Sequence, residues 1–294
     1  MVIACVRAPI VQCVVPQTLS EIRGLLASRG LSPRHALGQN FLIDHNLLRR
    51  LVDESGVGAG DLVLEVGPGT GTLTEELLAR GCEVIACELD RGLAGLLRNR
   101  LGNEARFTLV EGDCLEGKRA LSGALAGALA GRPFTLVANL PYGSATPLML
   151  TLLVDHPECR AMFATIQREV ADRLAARPGS KAYGPLAVVA SLLARVRTVA
   201  ALAPECFWPR PEVTSAMVAI ERNPDAPSLD TRALADFCQR LFAQRRKQIG
   251  SVLGRDFPWP EGVRTSDRAE SLPPEAVLEM FRAEVVRNGT NRVA

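Results

Sequence analysis

Several short runs in this chain have the residue types and spacing to hold a nucleoside. The first is Glu65-Val66-Gly67-Pro68-Gly69-Thr70-Gly71, which follows an apolar run of strand length and opens a helical pattern. Glycines let the backbone approach a ligand closely, and a helix start presents free N–H groups to it. Glu88 ends the next apolar run, 21 residues beyond Gly67. A carboxylate at that place can accept hydrogen bonds from both hydroxyls of a ribose. The glycines follow G-x-G-x-G, so the third stands one place early for the dinucleotide pattern G-x-G-x-x-G. A third run ends in Gly112-Asp113-Cys114, where Asp113 offers an acceptor suited to an adenine amino group. Three strand ends on one rim form a nucleoside site at the carboxyl edge of an open sheet.

A fourth run ends in Asn139-Leu140-Pro141-Tyr142. The exocyclic amine of a purine is a poor nucleophile because its lone pair is delocalised into the ring. The Asn139 side-chain oxygen and the Leu140 carbonyl can hold its two hydrogens and turn the lone pair toward an electrophile. Pro141 fixes the turn and has no N–H to compete. Tyr142 offers a stacking face worth about 1–3 kcal/mol to a base. In such an in-line displacement positioning supplies most of the catalysis, and no strong general base is required.

The first three runs together resemble class I S-adenosylmethionine-dependent methyltransferases, although they leave an NAD enzyme open. The fourth separates the two, because N-L-P-Y resembles the signature of amino-group methyltransferases that act on adenine.

The elements that position these runs follow from hydrophobic patterning. Strands are predicted over Leu62–Val66, Glu83–Cys87, Phe107–Val110 and Phe134–Ala138, with helices over Thr72–Arg80 and Arg91–Leu101 between the first three. Apolar strands alternating with helices predict an α/β fold whose mostly parallel sheet is covered on both faces. Before this core, Thr18 and Glu21 have capping-box spacing for a helix that Gly30 stops, and a second helix is predicted around Asp44–Ser55. The stretch from Ala120 to Gly131 reads as a small helix. Beyond the core, Pro147–Val154, Gln167–Arg177 and Leu186–Leu193 read as helices, and Val196–Ala201 and Val213–Ile220 as strands. Asn223 to Ser228, with two prolines, is the best linker, and helical patterns follow over Thr231–Leu253 and Pro273–Arg287. The expected organisation is a leader over 1–17, a Rossmann-like domain over 18–223 and a small all-helical domain over 224–294.

Composition limits the partners. With 47% hydrophobic and 22% charged residues, the chain of 294 is not disordered throughout. A net charge of +2 argues against a surface that is basic everywhere. The basic residues gather instead at Arg29, Arg34, Arg49 and Arg50, and at Arg240, Arg245, Arg246 and Lys247. Phosphate contacts need such local clusters, and Arg245-Arg246-Lys247 are the candidates, on a predicted helix. The eight cysteines contain no C-x-x-C and the three histidines are far from metal-ligand spacing. No metal site is expected, and scattered thiols suit the cytoplasm. The longest uncharged run, Pro133 to Val154, is broken by Asn139, Pro141, Gly143 and Pro147 and is read as strand, turn and helix, not a membrane span.

Two flanking segments narrow the resemblance. Leu37-Gly38-Gln39-Asn40-Phe41-Leu42 precedes the core and Phe207-Trp208-Pro209-Arg210-Pro211-Glu212-Val213-Thr214-Ser215 follows it. With Phe242-Ala243-Gln244-Arg245-Arg246-Lys247 and Arg268-Ala269-Glu270, they closely resemble the ribosomal RNA adenine N6,N6-dimethyltransferases, nearest to the bacterial small-subunit branch, over roughly residues 19 to 285. The resemblance implies dimethylation of two adjacent adenosines near the 3′ end of 16S rRNA, on an assembling 30S subunit, by a monomer using S-adenosylmethionine. It places cofactor contacts at Asn40, Leu42, Gly67, Glu88, Asp113 and Asn139, with the Gln39–Leu42 loop closing over the cofactor. It sets Phe207 opposite Tyr142, the two rings enclosing the target base. Three positions depart from the family pattern: Gly143 for asparagine, Arg210 for proline and Thr214 for aspartate. Rival readings are a large-subunit rRNA methyltransferase of the macrolide-resistance type and a non-catalytic assembly factor that keeps the fold.

Overall fold

The computed structural model describes residues 17–117 and 119–290; all but Gln17 of the leader lies outside them. Eleven strands and eleven α-helices are found there: β1 (Phe41–Leu42), β2 (Leu62–Val66), β3 (Glu83–Glu88), β4 (Phe107–Glu111), β5 (Leu115–Glu116), β6 (Ala120–Leu121), β7 (Phe134–Asn139), β8 (Cys159–Gln167), β9 (Ala194–Leu202), β10 (Phe207–Trp208) and β11 (Ser215–Arg222). The helices are α1 (Leu19–Ala27), α2 (His45–Ser55), α3 (Thr72–Ala79), α4 (Arg91–Leu101), α5 (Gly123–Leu129), α6 (Ala145–Asp155), α7 (Arg168–Leu174), α8 (Pro185–Leu193), α9 (Thr231–Phe242), α10 (Ile249–Leu253) and α11 (Pro274–Thr290).

Seven strands form one sheet in the order β4-β3-β2-β7-β8-β11-β9. The pairings from β4 through β8 are parallel, and β11 runs antiparallel between β8 and β9. Period-two alternation explains why both faces are covered. In β2, Leu62, Leu64 and Val66 point into the layer formed by α5, α6 and α7, while Val63 points into the layer of α2, α3 and α4. All five residues of β2 are buried, as a strand with helices on both sides must be.

The capping box of α1 forms as its spacing predicts, with Thr18 and Glu21 exchanging hydrogen bonds, and Asp44 caps α2. The order reverses between β2 and β7, so the carboxyl ends of β2, β3, β4 and β7 share one rim.

Two expectations are corrected. Cys159–Gln167, of which the sequence reading assigned only Gln167 and that to a helix, is the strand β8 beside β7. Its Ala161, Met162 and Ala164 have weak strand preference, and its near-continuous burial erases any alternating pattern. The helix predicted over Thr231–Leu253 breaks after Phe242, and Arg245, Arg246 and Lys247 stand in a turn. Arg245 there bonds Glu270 at 2.7 Å and the Ser180 carbonyl at 3.2 Å, while Gln248 bridges to Arg268. These contacts pull the chain out of the helix.

The C-terminal helices share α8 with the sheet. Leu186 and Ala190 of α8 pack toward the sheet. Ala187, Val188, Val189, Leu192 and Leu193 pack with α9, α10 and α11. The buried Tyr183 hydroxyl donates to the Leu272 carbonyl at 2.8 Å and ties the two sides together. Arg222 at the end of β11 donates to the carbonyls of Leu152, Leu153, His156 and Cys159, satisfying the C-terminus of α6.

Candidate active site

The rim opens into a cleft of about 330 Å³ lined by Asn40, Leu42, Gly67, Glu88, Asp113, Asn139, Leu140, Pro141 and Tyr142, among others. The structure thus brings together the four runs, Gly71 excepted, and Gln39–Leu42. The backbone at Gly67 and Gly69 has φ of +74° and +62°, the left-handed region that favours glycine. A Cβ on Gly67 would lie 2.9 Å from Cγ of Pro141, and one on Gly69 would lie 2.8 Å from the Phe41 ring. The glycine loop is therefore seated directly on the Asn139–Tyr142 turn and on β1.

Glu88 is buried at the end of β3. Its carboxylate accepts from the N–H of Asp90 at 2.9 Å and of Gly69 at 3.2 Å. Burial pushes its carboxyl up to about 7, partly opposed by those two N–H donors. Asp113 is exposed at the cleft and accepts from the Leu115 N–H at 3.0 Å. The thiols of Cys87 and Cys114, also on the lining, are pushed up to about 12 by burial, so neither is a nucleophile near neutral pH.

Below the loop, Glu65 is fully buried and accepts from the Thr74 hydroxyl at 2.6 Å. Desolvation pushes its carboxyl up to about 8. The folded protein therefore keeps a proton that the unfolded chain releases near its ordinary value of 4.5. This contribution to stability is fully present below about pH 4.5 and is lost as pH rises toward 8. Glu65→Gln is expected to raise Tm at pH 8 by on the order of 5 °C, with the gap closing at pH 5. A thermal-melt series showing the same gap at both pH values would contradict this.

At the end of β7, the Asn139 Nδ2 donates to the Asn40 carbonyl at 2.7 Å, and its Oδ1 accepts from the Thr165 hydroxyl. The Leu140 N–H donates to the Thr165 carbonyl at 3.1 Å. Tyr142 is half-buried, with its hydroxyl 2.7 Å from the Ser215 hydroxyl. A second pocket of about 290 Å³ adjoins the cleft across Tyr142, lined also by His35, Gln167, Pro211, Glu212 and the exposed Val213.

Phe207 is placed differently from its expected position opposite Tyr142. It is 3% exposed and packs in the core with residues of α2 and β11, lining neither the cleft nor the adjoining pocket. Its pairing with Leu42 in the β1–β10 ladder turns the side chain inward. The next residue, Trp208, stacks on Phe41 and carries the Arg23 guanidinium over its ring. Of the three departures, Gly143 is exposed with open space where a Cβ would stand. Arg210 pairs with Glu205 on the surface, and the Thr214 carbonyl accepts from the Arg168 N–H. None is a side-chain hydrogen-bond partner of Asn139 or Tyr142.

Sequence reasoning missed three residues that hold the site. Thr165 and Ser215 lie on β8 and β11, and both are 1% exposed. Nothing local marks a hydroxyl whose partner lies on another strand. Asp90, which caps α4, also accepts from Gln39 at 3.2 Å and pairs with Arg34 at 3.3 Å, docking the loop before β1 against the rim.

Residues 30–283 match the family model described as ribosomal RNA adenine dimethylase. The chain is 43% identical over 260 residues to the ribosomal RNA small subunit methyltransferase A of Magnetococcus marinus, covering 86% of this chain and 92% of that one. It is also 43% identical over 237 residues to the protein of the same name from Mycobacterium tuberculosis, covering 78% and 73%. Among solved structures, a dimethyladenosine transferase from Plasmodium falciparum has the same fold, with a TM-score of 0.65 at 20% identity over 84% of this chain and 97% of that one. The 23S rRNA methyltransferase ErmE is similar at 25% identity and a TM-score of 0.62, over 83% and 99%.

Proposed function

The chain belongs to the ribosomal RNA adenine dimethylase family, and from that membership we propose that it transfers methyl groups from S-adenosylmethionine to N6 of two adjacent adenosines near the 3′ end of small-subunit rRNA. The observation that carries this reading is the Asn139 amide and Leu140 at the same cleft as Glu88 and Asp113. The donor set fits the cofactor: Glu88 accepts from the ribose hydroxyls, Asp113 from the adenine amino group, and the glycine loop brings backbone close to the ligand. When bound, S-adenosylmethionine supplies an electrophilic methyl group. In the first transfer Asn139 Oδ1 and the Leu140 carbonyl hold the two amine hydrogens and aim the nitrogen lone pair; in the second, the one hydrogen left on the methylated amine has a single acceptor of the two. Tyr142, tethered to Ser215, stacks the base, and the adjoining pocket admits the nucleotide. Alkylation makes the amine proton acidic, so it leaves to water without a dedicated base.

Arg245 is engaged by Glu270, which leaves phosphate contacts to Arg246 and Lys247. Both are exposed, and neither has an ion pair with a described residue. We assign them to rRNA on the assembling 30S subunit, where a monomer works in the cytoplasm. Among the described residues no helix is long and apolar enough to cross a membrane. The test incubates the protein and labelled cofactor with undermethylated small subunits and digests the RNA to nucleosides. N6,N6-dimethyladenosine is the expected product, and its absence would overturn the reading. Product on naked large-subunit RNA alone would favour the macrolide-resistance type of activity.

Cofactor affinity should depend on pH through Glu88. Its carboxyl, raised to about 7 by burial, must be ionised to accept from the ribose. Affinity is therefore expected to tighten about tenfold from pH 6 to pH 8, with Glu88→Gln weaker and flat across the range. Calorimetric titration at three pH values measures it; a flat wild-type profile would exclude Glu88 as the controlling group.

A further inference from the structure

We propose that Thr165, a residue of β8 that lines no part of the cleft, is a positioning residue whose hydroxyl holds the plane of the Asn139 amide for methyl transfer. The proposal rests on the methyltransferase reading above and adds a residue to it. Thr165 stands opposite Asn139 in the parallel β7–β8 register and is 1% exposed. Its hydroxyl donates to Asn139 Oδ1, and its carbonyl accepts from the Leu140 N–H at 3.1 Å. One buried residue therefore bonds one of the two amine acceptors, Asn139 Oδ1, and the backbone N–H of Leu140, the residue that carries the other.

An asparagine amide can present either end to a ligand, and rotation about its last torsion is soft. In this site the two ends are fixed by different partners. The Asn40 carbonyl, which can only accept, takes the Nδ2 hydrogen at 2.7 Å and so decides which end faces the cleft. The Thr165 hydroxyl then donates to Oδ1 and fixes the tilt of the amide plane. A carbonyl oxygen has two lone pairs; one accepts from Thr165, and the other stays free for an amine hydrogen. Without the hydroxyl, the amide keeps its end-to-end choice through Asn40 but swings about that single tether. Oδ1 then no longer meets the amine hydrogen along a fixed direction. Because the tether to Asn40 comes from the loop before α2, Thr165 is the anchor that belongs to the sheet and does not depend on where that loop sits.

Thr165→Val keeps the β-branched shape and removes the donor. The expected result on undermethylated small subunits is a fall of about tenfold in kcat. KM for the subunit and Kd for S-adenosylmethionine should stay within about twofold, since Thr165 contacts neither. Thr165→Ser restores the hydroxyl and is expected to recover at least half of the wild-type kcat. Thr165→Ala, run in parallel, removes the same donor and must show the same kcat loss even where the valine variant folds poorly, as thermal melts will show. The proposal is overturned by a wild-type kcat in the valine or alanine variant. It is equally overturned by a loss confined to KM or Kd, or by a serine variant as slow as valine. An inactive wild-type protein would instead bring down the parent reading and this proposal with it.

Discussion

Replacing Asn139 with alanine is expected to lower methyl transfer by about 10³-fold, to near the assay floor, while rRNA affinity stays within about twofold. Removing one preorganised polar group from a reacting centre typically costs 10²–10³-fold. Misplacing the acceptor by about 1 Å adds a further loss. Asn139 supplies both terms, because its Oδ1 is an amine acceptor and its Nδ2 holds the Asn40 carbonyl at 2.7 Å. Loss of that tether loosens the chain at Asn40, between the Gln39–Asp90 bond and the β1–β10 ladder, so weaker cofactor affinity is expected alongside the slower chemistry. RNA affinity is spared because the basic residues proposed to meet phosphate stand elsewhere. The decisive measurements are single-turnover methyl transfer and equilibrium binding to undermethylated subunits. Turnover at the wild-type rate would refute the amine-orienting role.

Gly67→Ala is expected to lower kcat/KM by about 10²-fold, from two effects that can be separated. The backbone there has φ of +74°, which costs an L side chain roughly 1–2 kcal/mol. The new Cβ would also lie 2.9 Å from Pro141 Cγ and 3.0 Å from its Cδ. A proline ring cannot swing aside, so either the glycine loop lifts from the rim or the Leu140–Tyr142 turn moves. Gly56→Ala is the control: φ there is +64°, with nothing within 4 Å of an added Cβ. It should lose stability by a similar amount while keeping activity. If both variants retain full kcat/KM, the loop and the turn are not mechanically linked.

The site was legible in sequence where chemistry and local geometry coincide. Gly67, Glu88, Asp113 and Asn139 each stand at a strand end or within two residues of it, and strand ends are readable because a continuous apolar run stops at a polar or glycine residue. The parallel core was legible for the same reason. What failed was information carried between distant segments. β8 has no alternation because both its faces are covered, so a central strand passed unread, and Thr165 with it. Phe207 was placed by resemblance, yet the direction of a strand side chain is set by register. Only the pairing with Leu42 shows that it points inward. Arg245 looked like part of a helical charge cluster, and its partner Glu270 lies 25 residues away.

The double-faced helix α8 has a consequence for engineering. A cut at the linker after Arg222 would leave Val188, Val189 and Leu192 facing solvent as an apolar stripe, an aggregation hazard in the isolated catalytic half. Grafting the tail of one relative onto the core of another would instead set mismatched side chains against α8. Chimeras that exchange the tail should carry α8 and Tyr183 with it, placing the junction before residue 183, between α7 and α8, so that β9 and β11 travel with the helices they adjoin.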